Sequence, residues 1–409
     1  MPFIYALYLL SGVLKAMFIF YGIRFPVDLT LLTAFILIIH IGLSFFLYGI
    51  KVQFKKNIIY SLILLTLFFL WILISLSYGN SPSYGYKKSL LFITNILAFA
   101  YPFLISEFKL SGFLKYLSVL TVILFLWFFY VYFILTAQLR GSEIYLKIMG
   151  LYLTMGILGG LIFLVFATSE KRIFSNWFLD TVIMILLFVF VVISGARGPI
   201  LFMILSLFLY FIYRIIRIKL KTKINVNKLF KITFIGLPVL LGFIVIIFNK
   251  FYNKIILLAE RSLFRMSLIF NKIDNVSEMG SSVDIRMKQY KFALNSIFSD
   301  VIHFFFGYGF GSFGIMYSHA DVRLYPHNIF LEIWFETGII GLLLFLSFLA
   351  LVFFKQLSKR IYVSGFVILY MILNMMKSSS IVDIRIFFAF FALMIINSNI
   401  RKDIVNNEN

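Results

Sequence analysis

Long apolar runs separated by short polar or basic segments set the rhythm of this chain. Runs able to cross roughly 30 Å of hydrocarbon, about 20 residues each, begin near positions 3, 28, 57, 88, 112, 147, 177, 199, 228, 328, 361 and 381. The pattern predicts an all-α polytopic membrane protein with about twelve transmembrane helices. Nine of these fall within residues 1–248 and three within 327–409, with one long interruption over 249–326. No basic stretch or small-residue cleavage site marks the first run as a removable signal, so it is expected to stay as a helix.

The interruption has a pattern of its own. Val283, Met287, Tyr290, Leu294 and Ile297 recur at helical spacing, which predicts an amphipathic helix lying on the membrane surface or over the bundle. Glycines 307, 309, 311 and 314 follow in FFFGYGFGSFG, where they permit a tight backbone path. No strand precedes this run and no GKS or GKT follows it, so a nucleotide phosphate loop is rejected.

Composition agrees with the pattern. The 409 residues are 62% hydrophobic and 13% charged, with a mean hydropathy of +1.04, far from the range of soluble domains. A net charge of +21 would suit nucleic acid, but the basic residues sit mainly in short loops, where topology and anionic lipid account for them. The richest is Arg214, Arg217, Lys219, Lys221, Lys223, Lys228 and Lys231. With that loop cytoplasmic, Lys51, Lys55 and Lys56, Lys171 and Arg172, Lys355, Lys359 and Arg360, and Arg401 and Lys402 fall on the same side. Both termini are then cytoplasmic and the long loop is outside. Cysteine is absent, which removes disulfides, thiolate ligands and a cysteine nucleophile.

Candidate chemistry gathers at the mouth of the run near 328. Tyr325-Pro326-His327-Asn328 precedes it, and Asn328, Glu332 and Glu336 share one helical stripe. Carboxylates inside a span are costly unless they face protein or water, so the stripe is expected to face the interior. The bland alternative makes His327 interfacial and the glutamates structural partners of basic groups. Arg197 lies in Ser194-Gly195-Ala196-Arg197-Gly198-Pro199, at a turn between two spans, and either binds a partner or snorkels to headgroups. Arg286 sits on the amphipathic helix. Lys87, Lys88, Arg140, Arg261, Arg265 and Lys288 would add to a cationic vestibule for phosphates, where arginine's planar fork suits a diphosphate. His40 and His303 are expected to pack or lie at an interface. His319 and Asp321 are too few for a metal site.

These motifs resemble the bacterial O-antigen polymerase and O-antigen ligase superfamily, membrane glycosyltransferases of GT-C type. His327 and Asn328, nine residues, then Gly338 and Gly341 fit H-N-x9-G-x-x-G. SGARGP, SVDIRMKQYKFAL and GYGFGSFG extend the likeness over roughly residues 180 to 350. The resemblance implies transfer of a glycan from undecaprenyl diphosphate to an acceptor hydroxyl, by inversion and without a metal or other cofactor, on the periplasmic face of the inner membrane. His327 would deprotonate or orient the hydroxyl, and Arg197 and Arg286 would hold the diphosphate. Glu332 and Glu336 are expected to orient His327 or an arginine, or to be structural. A polymerase is favoured over a ligase, and a chain-length regulator is an implied partner. A lipid-linked oligosaccharide flippase is the non-enzyme alternative, disfavoured because the two halves show no repeat and the polar groups cluster at one face.

Overall fold

The computed structural model describes residues 1–23, 25–48, 56–105, 108–134, 150–219, 281–354 and 363–407. Among them every regular element is a helix. In chain order these are α1 (Pro2–Phe20), α2 (Leu29–Tyr48), α3 (Lys56–Leu76), α4 (Tyr84–Leu104), α5 (Leu110–Ile134), α6 (Tyr152–Thr168) and α7 (Trp177–Ile193). They continue as α8 (Arg197–Lys219), α9 (Ser281–Ile297), α10 (Val301–Phe306), α11 (Phe313–Ser318), α12 (Ile329–Phe354), α13 (Gly365–Ser378) and α14 (Arg385–Asn407).

Six of these, α1, α2, α3, α5, α8 and α12, are long and apolar enough to cross a membrane, and α6, α7, α13 and α14 supply shorter apolar segments. The expected all-α, membrane-spanning class is met among the described residues, which hold six such spans where about twelve were expected for the whole chain. The run near 228 lies outside the described residues, as do Arg140, Arg261 and Arg265.

Packing divides the chain into two units, one of Met1–Gly12, Phe25–Phe113 and Asn275–Asn409, the other of Val13–Arg24 and Leu114–Asp274. In the first, α4 is the hub. Pro102 lies inside it and has no N–H to give the Ala98 carbonyl; the Tyr5 hydroxyl of α1 donates to that oxygen instead. Phe92 of α4 meets Phe388 of α14 edge-on at 5.8 Å, and Phe348 of α12 stacks on Phe388 at 5.6 Å. Phe388 and its neighbours through Ile395 are buried. In the second unit, Phe125 and Phe190 stack at 5.0 Å, and α6 packs against α7 and α8.

The helix expected over the 283–297 face forms as α9, but its buried side is shifted from that face, sharing with it Ile297 and the partly buried Tyr290. Gln289, Ala293 and Ile297 are covered, whereas Met287 and Leu294 remain 49% and 41% exposed. The small Ala293 side chain joins Ile297, Phe313, Leu331 and Phe335 in one cluster, so close approach to α12, not the widest apolar stripe, decides the orientation.

Helix α12 is broken at Gly338 (φ 68°, ψ −177°). A Cβ there would collide with the Phe305 carbonyl oxygen, so only glycine fits. The break deprives three carbonyls of helical donors, and each finds another. Tyr308 N donates to Phe335 O at 2.9 Å, Gly309 N to Glu336 O at 2.9 Å, and Trp71 Nε1 of α3 to Thr337 O at 2.8 Å. The glycine run after α10 is thereby threaded against the kink. Gly309 carries it past Gly79, where a Cβ on Gly309 would collide with the Gly79 backbone and one on Gly79 would be tight.

Candidate functional site

The segment 329–337, freed from the rest of α12 by the kink, carries the candidate site at its head. Asn328 caps it, its Oδ1 accepting from Phe330 N at 3.0 Å and Leu331 N at 3.2 Å, as an N-cap does. His327, one residue earlier, is in the left-handed region (φ 54°), a conformation that a non-glycine residue adopts only when its surroundings hold it there. Its ring lies 4.6 Å from that of Tyr325. Burial, with the charge of Arg286 adding to it, pushes the His327 pKa down to about 4, so the imidazole is neutral near neutral pH.

The strap leading to His327 is tied down at two points. Asp321 accepts from Ser81 Oγ at 2.6 Å, Ser83 N at 2.8 Å, Ser83 Oγ at 3.0 Å and Tyr84 N at 3.2 Å, docking a carboxylate on the start of α4. Burial would raise its pKa, yet these hydrogen bonds outweigh that and hold it below the usual range. Arg323 then reaches Asp383, just before α14, with Nη2 2.7 Å from Oδ1 and 2.5 Å from Oδ2. Tyr325 is pushed up to about 12, chiefly by burial. Arg286 of α9 acts electrostatically on both Tyr325 and His327. The structure therefore brings Arg286, Arg323, Tyr325 and His327 into one neighbourhood.

Below this lies a buried ion cluster. Lys88 Nζ is 2.6 Å from Glu332 Oε1, 2.7 Å from Glu336 Oε1 and 2.6 Å from Glu336 Oε2, and all three side chains are 0% exposed. Glu332 also accepts from Ser380 Oγ at 2.8 Å and Ile381 N at 3.0 Å, and Gly311 N donates to Glu336. The Lys88 ammonium sits 4.8 Å over the Phe310 ring. Lys88 was expected among cations open to a phosphate; it is instead enclosed and committed to two carboxylates. Glu332 and Glu336 face the interior, but toward Lys88 rather than His327 or an arginine.

The other expected residues divide plainly. Lys87 and Lys288 are exposed, and Arg286 is half-buried. Arg197 starts α8 in the second unit, after a turn through Gly195 (φ 67°), with Ala196 seated against Gly156 of α6. Gly341 has no space for a Cβ beside the Thr337 side chain and Trp71. In H-N-x9-G-x-x-G, then, Asn328 caps, Gly338 kinks and Gly341 admits Trp71, which leaves His327 as the residue with chemistry to offer. Sequence reasoning missed Arg323 and Asp383 and weighed Asp321 only as a metal ligand. Charges at the ends of spans were the available signal.

Residues 182–346 match the family model for O-antigen ligases. The match covers about two-fifths of the chain and is consistent with the O-antigen polymerase/ligase superfamily. The matched stretch runs from α7 into α12 and contains Arg197, Arg286, the glycine run, His327 and both motif glycines. Members of the O-antigen ligase family are membrane glycosyltransferase or ligase enzymes. No curated protein matches the chain in sequence.

Proposed function

We propose that this protein is an O-antigen polymerase. It joins undecaprenyl-diphosphate-linked repeat units at the periplasmic face of the inner membrane, by inverting, metal-independent glycosyl transfer. The observation that carries the reading is His327, a neutral imidazole strained into place at the head of α12 under the positive charge of Arg286.

The acceptor hydroxyl oxygen attacks the anomeric carbon from the face opposite the diphosphate. As that bond forms, the carbon–oxygen bond to the diphosphate breaks and its electron pair leaves with the phosphate. The hydroxyl proton passes to His327, and Arg286 offsets the charge that develops on the leaving group. A group with a pKa near 4 is a weak base while the site is empty. Diphosphate binding opposes the Arg286 charge. One charge about 6 Å away at an effective dielectric near 20 is worth about 3 kcal/mol, or about two pKa units. The donor thus raises the basicity of the residue that activates the acceptor.

An O-antigen ligase, which transfers the finished chain to the lipid A core, uses the same chemistry, and the description of the matching family favours it as the second reading. A gel of surface glycolipid from cells lacking the gene, complemented with wild type or His327→Ala, separates the cases. Core bearing one repeat unit supports the polymerase. Bare core with polymer retained on the carrier lipid supports the ligase, and unpolymerised units trapped on the inner leaflet would overturn both in favour of a flippase.

A further inference from the structure

We propose that Lys88 is a positioning residue for this transfer, fixing His327 through Glu332 and Glu336 without touching substrate. The inference rests on the transferase reading and concerns how the same site is held.

The segment 329–337 needs an external anchor, because the Gly338 break removes the hydrogen bonds that would tie it to the remainder of α12. Lys88 supplies that anchor from α4. Glu332 extends it to the turn before α14 through Ser380 and Ile381, and Asn95 of α4, two turns beyond Lys88, grips the same turn by donating to Ile381 O at 2.6 Å. That turn ends in Asp383, which holds Arg323, four residues before His327. The strap is also held to α4 by Asp321. A closed circuit results, from Glu332 to the 380–383 turn, Arg323, His327 and back along the capped segment to Glu332, and Lys88 pins its Glu332 corner to α4. His327 is the member of this circuit in a left-handed conformation, and so the one most sensitive to its loosening.

Stability alone does not explain the choice of residues. One cation and two carboxylates at 0% exposure carry a desolvation cost that well-packed apolar side chains avoid, and replacing such clusters with apolar residues is often neutral or stabilising. What an ion cluster adds is register: the ammonium has a single arrangement that satisfies both carboxylates. The Tyr84 hydroxyl, buried beside the cluster and sensitive to Lys88, both glutamates and Arg323, finds no hydrogen-bond partner among the described residues. Tyr84 thus lies near both the cluster and the strap residue Arg323.

The test uses the full chain in lipid nanodiscs with a lipid-linked oligosaccharide donor, comparing wild type, Lys88→Met, and the apolar triple Lys88→Met/Glu332→Leu/Glu336→Leu. The triple removes all three charges of the cluster, so it keeps the comparison open where Lys88→Met fails to fold. The expected result for the triple is a fall in kcat of about 10–100-fold, the scale of an ångström-size misplacement, with KM for the donor within about threefold. Diethyl pyrocarbonate labelling mapped to His327 should rise at the same time. A triple variant with kcat within about twofold of wild type and unchanged labelling would overturn the proposal. His327→Ala in the same assay tells the two ideas apart. If it turns over normally, the transferase reading fails; if it is inactive while the triple is normal, only the positioning role fails.

Discussion

Lys88 and Glu336 are 248 residues apart in sequence, yet the ammonium bonds both oxygens of the carboxylate at 2.6 and 2.7 Å. This pair ties α4 to the kinked head of α12, the element that carries His327. The candidate site is thus an irregular strap held against two helices, with its chemistry at the strap and its support one layer beneath.

Gly338 sets the shape of that head. Gly338→Ala places a side chain against the Phe305 carbonyl in a backbone region hostile to it, and should destabilise the protein by roughly 2–4 kcal/mol. Gly42→Ala in α2, where nothing lies within 4 Å, is the matched control and should be neutral or slightly stabilising. Thermal unfolding of the two detergent-solubilised variants checks this; equal losses would refute the role of the kink.

Asn328 is expected to act as a cap. Asn328→Ala should cost about 1 kcal/mol, while Asn328→Asp, which keeps the acceptor oxygen, should retain both stability and transfer. A total loss of turnover in Asn328→Asp, with folding intact, would show that the amide meets substrate.

His327 makes stability depend on pH in a definite direction. Its folded pKa, about 4, lies below its ordinary 6.5, so the unfolded chain binds the extra proton. The contribution is complete above about pH 6.5 and fades as pH falls toward 4. His327→Gln should flatten that part of the stability profile between pH 4 and 7, measured by denaturation of the solubilised protein.

Arg286 shapes the same titration. Removing its positive charge makes protonation of His327 easier, so Arg286→Gln should move the acid limb of the kcat/KM profile, which reports the free enzyme, to higher pH. An unmoved limb together with full activity would detach Arg286 from the site.

Much of this was legible in the sequence, and for identifiable reasons. Apolar runs announce helices because hydrocarbon leaves the backbone no other partner. The inward stripe of Glu332 and Glu336 followed from the cost of charge in a span, and H-N-x9-G-x-x-G marked the head of α12. The partner of that stripe was not legible. Lys88 reads locally as one more basic residue at a helix start, and only the fold brings it against carboxylates more than 240 residues away. The buried face of α9 misled for a related reason: Ala293 wins the contact with α12 by being small, which a count of apolar residues does not register.

The most direct test of the account is single-turnover glycan transfer by the purified protein in nanodiscs, wild type against His327→Ala, with donor binding measured in parallel. Loss of a general base predicts a rate lower by about 10²–10⁴-fold with donor binding retained. Transfer within about twofold of wild type would contradict it.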